Sequence, residues 1–117
     1  MAHKTVNASE IEPLNGVIRL VRKALGVKAF GINQFDLPPG SSGKEHDEAE
    51  SHQEEVYLVL AGSGTMTVDG EDVELEPGRY VYVSPDATRV LKAGPDGLSW
   101  VVVGAPAHHP YEPRGFF

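Results

Sequence analysis

Four side chains that can bind a metal ion alternate with other residues between positions 46 and 52. In the segment HDEAESH these residues are His46, Glu48, Glu50 and His52. If the segment is extended, side chains two residues apart lie on one face. Two imidazoles with one or two carboxylates suit iron (Fe), manganese (Mn), nickel (Ni) or zinc (Zn) as divalent ions. The predicted divalent metal site consists of His46, Glu48, His52 and Glu55.

The same stretch also has the composition of a solvent-exposed loop. Residues 43–54, GKEHDEAESHQE, are dominated by charged and polar side chains. Acidic side chains are rarely buried, and a histidine in such a loop is most often a surface residue. Carboxylates are so frequent here that no catalytic pair can be selected, and the catalytic residues stay unassigned.

A second group of residues could bind an organic ligand. Aromatic side chains combine a large apolar area with a polar tip, which suits a ligand cavity. An arginine can hold a carboxylate through two parallel hydrogen bonds. The predicted ligand-binding residues are Tyr57, Tyr80, Tyr82, Arg89 and Trp100. The alternatives are a core position for Tyr57 and Trp100, and an exposed strand position for Arg89.

Length, charge and composition exclude several classes of protein. A chain of 117 residues fits one domain, and the lack of cysteine excludes disulfides, zinc–thiolate sites and a cysteine nucleophile. The formal net charge of −7 repels phosphate backbones and anionic lipids, so we expect neither nucleic acid nor a membrane as partner. No apolar run approaches the roughly 20 residues of a membrane span, and no leader segment is visible, so we expect a cytoplasmic protein.

The pattern of apolar residues predicts one short helix followed by strands. Residues 17–25, VIRLVRKAL, predict a helix that ends at Gly26. Asp69-Gly70 is a preferred hairpin loop, residues 37–40 (LPPG) end a strand, and residues 94–97 (GPDG) predict a turn. The predicted strands are residues 27–35, 55–60, 64–68, 71–75, 79–83, 88–93 and 98–104. Short strands separated by frequent turns indicate an all-β barrel or sandwich.

Two segments resemble the motifs of the small single-domain cupins. EEVYLVLAGSGTMTVDGE, from Glu54, resembles the second half of the first cupin motif, and GRYVYVSPDATRV, from Gly78, resembles the second motif. The resemblance covers about residues 29–104. It implies an all-β double-stranded β-helix, or jelly-roll, barrel with a short N-terminal helix, and in many cupins the barrel holds one divalent metal ion. It also implies that Glu55 points inward, and strand alternation then places Tyr57 on the same side.

The two motifs lack residues that cupin metal sites use. Where the first motif has two histidines separated by one residue, this chain has His46-Asp47-Glu48, followed by a longer spacing to Glu55. The position of the second-motif histidine falls on Val90, next to Arg89. The resemblance therefore implies a degenerate metal site.

These observations lead to one expected function and two alternatives. We expect a cupin-like barrel of unassigned activity that binds a small organic molecule. The alternatives are a divalent-metal-dependent enzyme (a dioxygenase, isomerase or decarboxylase acting on a small organic acid) and a dimeric interaction module. The expected organisation is an N-terminal arm and helix (residues 1–28), a cupin barrel (29–104) and a C-terminal tail (105–117), with a homodimer as the assembly.

Overall fold

The computed structural model describes residues 2–117 and consists mainly of antiparallel strands. Within these residues, helical structure is limited to a 3-10 turn at Ala8–Glu10 and one α-helix, α1 (Val21–Leu25). The strands are β1 (Ile18–Arg19), β2 (Gly31–Leu37), β3 (Gln53–Val68), β4 (Glu71–Leu75), β5 (Tyr80–Val83) and β6 (Arg89–Pro106). They form one sheet in the order β1–β2–β6–β3–β4, and β5 also pairs with β3.

The two longest strands, β3 and β6, pair with each other along both halves of their length. In one half Val59 lies opposite Trp100, and in the other half Val68 lies opposite Arg89. The register shifts between the two halves, and such irregularities bend the strands. Strands β2 and β5 extend the first half, and β4 extends the second. The bent sheet encloses the core and gives the all-β jelly-roll barrel that was predicted.

The predicted turn at residues 94–97 is wrong, because all four residues lie inside β6. Only Ser63 stands opposite them on β3, between Gly62 and Gly64, so the additional residues of β6 form a bulge. Gly62 is required at this bend: its φ is 85°, and a Cβ there would collide with the carbonyl of Gly97. The glycines and proline of the segment therefore bend a strand instead of ending it.

The predicted helix over residues 17–25 is correct only for its last five residues. Helix α1 ends at Gly26, whose φ of 76° and backbone hydrogen bond to Arg22 form the expected left-handed cap. The residues before α1 form β1 and pair with β2, so tertiary pairing outweighs local helix propensity there. No helix within residues 2–117 is long and apolar enough to cross a membrane.

Alternation along β3 decides which side chains enter the barrel. Tyr57 and Val59 are buried in the core, whereas Val56 and Leu60 are exposed on the outer face of the sheet. This agrees with the period of two that a strand imposes. The inner face of the sheet therefore carries both the hydrophobic core and the side chains that approach the cavity.

Candidate functional site

A cavity of about 420 Å³ opens into the barrel beside the segment 43–48. Phe35 of β2 and Trp100 of β6 form one wall, and their rings stack with centroids 4.9 Å apart and planes 5° from parallel. The other apolar lining residues are Ile18, Gly43, Tyr57, Leu91 and Val102. The polar and charged lining residues are Lys44, His46, Asp47, Glu48 and Glu55. The cavity thus joins an aromatic wall to a strongly charged side.

Strand register brings these side chains together. Phe35 and Trp100 are direct partners in the β2–β6 ladder, and directly opposed residues lie on the same face of a sheet. Glu55 and Tyr57 are two residues apart on β3 and both reach the cavity. The segment before β3 is attached to β6 by backbone hydrogen bonds between His46 and Arg89 in both directions, at 3.0 and 2.9 Å.

A buried hydrogen-bond network surrounds Arg89, whose side chain is 0% exposed. Its Nη2 donates to Glu55 Oε1 at 2.8 Å, its Nη1 to the Ala87 carbonyl at 2.7 Å, and its Nε to the Tyr57 hydroxyl at 3.4 Å. The Tyr57 hydroxyl in turn donates to Glu55 Oε1 at 2.7 Å. One carboxylate oxygen of Glu55 therefore accepts two hydrogen bonds, which fix the orientation of the carboxylate.

The surroundings shift the pKa values of two members of this network. Burial, with the negative charge of Glu55, raises the pKa of Tyr57 well above its ordinary value. Burial alone would lower the pKa of Arg89, but hydrogen bonds to Tyr57 and Glu55 outweigh it and raise the pKa. Tyr57 is therefore a neutral hydrogen-bond donor, and Arg89 a permanent cation, throughout the neutral range.

Three of the predicted ligand-binding residues do not face the cavity. Tyr80 and Tyr82 lie on the outer side of β5, with 71% and 59% of their surfaces exposed, because the alternating Val81 and Val83 point inward. Arg89 does point into the barrel, but its guanidinium has no exposed surface and its hydrogen bonds go to the protein. Arg89 is thus not placed to bind a ligand carboxylate. Tyr57 and Trp100 are both core residues and cavity-lining residues.

The predicted metal-binding residues do not all come together. His46 Nε2 lies 3.4 Å from Glu48 Oε2, and both side chains line the cavity with Glu55. His52 is separated from them because residues 49–52 form a turn, which breaks the alternation that the prediction assumed. Its φ is 59°, and its ring packs against that of His108 with centroids 4.6 Å apart.

The side chains at the cavity do not fit a divalent metal ion. A protein metal site needs three or more donor atoms that converge on the ion. Within residues 2–117 no group of three or more His, Cys, Asp or Glu side chains has that arrangement. Glu55, the innermost carboxylate, is already paired with the guanidinium of Arg89. Of the predicted metal ligands, the cavity retains the imidazole of His46 and the carboxylates of Glu48 and Glu55, and the carboxylate of Glu55 is paired with Arg89.

The sequence did not identify Phe35, Lys44, Leu91 or Val102 as cavity residues. Phe35 lay in a predicted strand, but its position opposite Trp100 depends on the register of two strands that are distant in sequence. The continuous apolar run LSWVVVG indicated burial without indicating which side chains face the cavity. The sequence offered one signal for this pair: large aromatic residues often lie opposite each other on neighbouring strands, which would have suggested that Phe35 pairs with Trp100.

Comparison with known proteins identifies the fold. The family model for the Cupin domain matches residues 33–104. A cupin protein from Bacteroides fragilis superposes with a TM-score of 0.81 at 21% identity, over 97% of this chain and 92% of that chain. A predicted oxalate decarboxylase from Thermotoga maritima gives a TM-score of 0.71 at 24% identity, over 88% and 99% of the two chains. These two likenesses show a shared fold.

Two relatives with named activities are more similar in sequence. Dimethylsulfoniopropionate lyase DddW from Ruegeria pomeroyi is 33% identical over 93 residues, which cover 80% of this chain and 50% of the lyase. A glucose-6-phosphate isomerase from Pyrococcus horikoshii is 36% identical over 88 residues, covering 64% of this chain and 47% of the isomerase. The chain therefore spans about half the length of the curated relatives it matches.

Proposed function

This chain belongs to the cupin family, and we propose that its barrel binds a small organic cation with an apolar body. The observation that carries the proposal is the placement of charge around the cavity. The arginine in the barrel is buried and engaged by the protein, whereas the carboxylates reach the cavity. A ligand therefore meets hydrogen-bond acceptors and negative charge, and a cation complements both.

The lining residues count in favour of a cation. Three acidic residues, Asp47, Glu48 and Glu55, line the cavity, against the single basic lining residue Lys44. Glu55 Oε1 is occupied by Arg89 and Tyr57. Its Oε2 accepts no hydrogen bond from any side chain in residues 2–117, so this oxygen is free to accept one from a ligand.

The apolar wall complements the rest of such a ligand. The stacked Phe35 and Trp100 both line the cavity, so they offer apolar contact to the body of the ligand. A volume of about 420 Å³ suits a small molecule. The relative named dimethylsulfoniopropionate lyase supports the cationic part of this proposal, since that compound carries a sulfonium cation as well as a carboxylate.

The proposal is tested by titrating the untagged protein with benzylammonium and, separately, with benzoate. The two probes share a phenyl ring and differ in the sign of their charge. The indole N–H signal of the single tryptophan, Trp100, serves as reporter in NMR spectra. We expect a saturable shift with benzylammonium and binding at least about tenfold weaker for benzoate, because the wrong charge faces the carboxylates.

Two variants locate the binding site. Glu55→Gln should weaken benzylammonium binding at least about tenfold, since it removes the charge that faces the ligand. Glu54→Gln is the matched control, because Glu54 is exposed and bonds to Tyr82 on the outer face. Equal binding of benzoate and benzylammonium, or an equal loss in the two variants, would contradict the proposal.

An enzyme that acts on the same class of ligand is the second candidate function. It is favoured by the relative named as a dimethylsulfoniopropionate lyase. Incubation of dimethylsulfoniopropionate with the protein, followed by NMR analysis of the products, tests it directly. An unchanged substrate spectrum would exclude turnover of this compound.

The expected assembly of the protein is a homodimer. It stays a prediction. Analytical ultracentrifugation would test it, and a single species at the 12.6 kDa mass of the monomer would contradict it.

A further inference from the structure

Arg89 connects two other segments of the chain, since it pairs with His46 through the backbone and with Glu55 through its side chain. His46 and Arg89 are direct antiparallel partners, linked by backbone hydrogen bonds of 3.0 and 2.9 Å. Direct partners place their side chains on the same side of a sheet. Glu55 completes the group from β3, with Oε1 2.8 Å from the guanidinium of Arg89. Position 89 therefore lies beside an imidazole and a carboxylate that could both bind a metal ion.

We propose that Arg89 is a built-in cation that takes the place of a divalent metal ion beside Glu55 and keeps such ions out of the barrel. The guanidinium is completely buried and carries its charge permanently. It occupies Glu55 Oε1 with a fixed positive charge and leaves only Oε2 for another partner. One oxygen can accept a hydrogen bond from an organic ammonium group, but it cannot supply the several donors that a divalent ion needs. The barrel thus presents an oriented carboxylate to a ligand without depending on metal supply.

The proposal predicts what a histidine at position 89 does. Arg89→His removes the permanent charge and adds a neutral nitrogen donor on the side of His46 and Glu55. Two imidazoles and one carboxylate are a donor set that binds divalent first-row metals. The variant should therefore gain a metal site that the natural chain lacks.

Val90 offers a matched control, because the motif spacing in the sequence points to this residue as the histidine position. Consecutive residues of a strand point to opposite faces, so Val90→His adds the same imidazole on the side away from Glu55. Arg89→His and Val90→His therefore have the same histidine content and differ in where the new ring points.

The experiment measures bound metal in untagged protein after loading with manganese and, separately, with zinc, followed by gel filtration and elemental analysis. We expect less than about 0.1 metal ion per chain for the natural protein and for Val90→His, and about one per chain for Arg89→His. Circular dichroism establishes that each variant is folded before loading.

Several results would overturn the proposal. The first concerns the natural protein. If it binds about one metal ion per chain, and if Glu55→Gln or His46→Ala abolishes that binding, Arg89 does not exclude metal. This test does not depend on whether Arg89→His folds. A folded Arg89→His that binds no metal would show that Arg89 is not what keeps metal out. Equal metal binding by Val90→His would show that the side of the strand is irrelevant.

Discussion

The ion pair between Glu55 and Arg89 should make a large contribution to stability, and Glu55→Gln measures it. The two charged atoms lie 2.8 Å apart, and their side chains are 12% and 0% exposed. At an effective dielectric constant near 20, this distance corresponds to a gross attraction of about 6 kcal/mol. Desolvation offsets part of that attraction, but removal of one partner leaves the other charge buried and unpaired, at a cost of about 3–5 kcal/mol.

Glutamine keeps the size of the side chain and one hydrogen-bond acceptor, so the loss should lie at the lower end, about 3 kcal/mol. A domain of this size is stable by about 5–15 kcal/mol, which leaves the variant folded. The assay is urea unfolding at pH 7 followed by circular dichroism. The free energy of unfolding in water is compared between the natural protein and the variant.

The exposed ion pair between Arg79 and Glu76 is the control. Its charged atoms are 3.0 Å apart, almost as close as in the buried pair, but its side chains are 43% and 67% exposed. Glu76→Gln should therefore cost less than about 1 kcal/mol. If Glu55→Gln costs no more than Glu76→Gln, the buried network does not hold a charged pair, and the arguments built on it are refuted.

Three further predictions concern single residues. The pKa of Tyr57 is raised above the ordinary value of 10.0. As the pH rises, the unfolded chain therefore loses the Tyr57 proton before the folded protein does, and the free energy of unfolding falls above pH 10 by up to about 1.4 kcal/mol per pH unit. Tyr57→Phe should remove this part of the decline, measured by urea unfolding between pH 9 and 11, and an unchanged slope would contradict the prediction. Gly62→Ala should lower the free energy of unfolding by about 1–3 kcal/mol more than Gly70→Ala does in the same assay. Both glycines have φ near 85°, but only Gly62 faces the Gly97 carbonyl. Equal losses in the two variants would contradict the predicted collision. His52→Ala should leave benzylammonium binding unchanged in the Trp100 titration, because His52 does not line the cavity, and a severalfold loss would place His52 at the site.

The local features of the fold were predictable because short-range chemistry determines them. Asp69 and Gly70 have φ values of 48° and 83° and join β3 to β4, as an Asp-Gly hairpin requires. The alternation of tyrosine and valine in β5 correctly separated two faces. It did not tell which face is inside, and the tyrosines lie outside. Alternation along a strand determines which side chains share a face, whereas long-range packing determines which of the two faces is buried.

The candidate site was harder to predict because it depends on register and on turns. An extended segment from His46 to His52 would have placed both histidines on one face, but the turn at residues 49–52 separates them. Counting along the second motif placed a histidine position at Val90. In the structure it is Arg89 that pairs with His46 and points into the barrel, where it contacts Glu55. A change of one residue in a strand exchanges the two faces, and sequence spacing alone could not resolve that change.

The most direct test of the proposed metal-free cation site is calorimetric titration of the untagged protein with benzylammonium in the presence and absence of excess EDTA. We predict the same affinity under both conditions and at least a tenfold loss in Glu55→Gln, because the oriented carboxylate binds the cation without a metal ion. Binding that disappears with EDTA and returns on addition of manganese or zinc would contradict both the proposed role of Arg89 and the metal-free site.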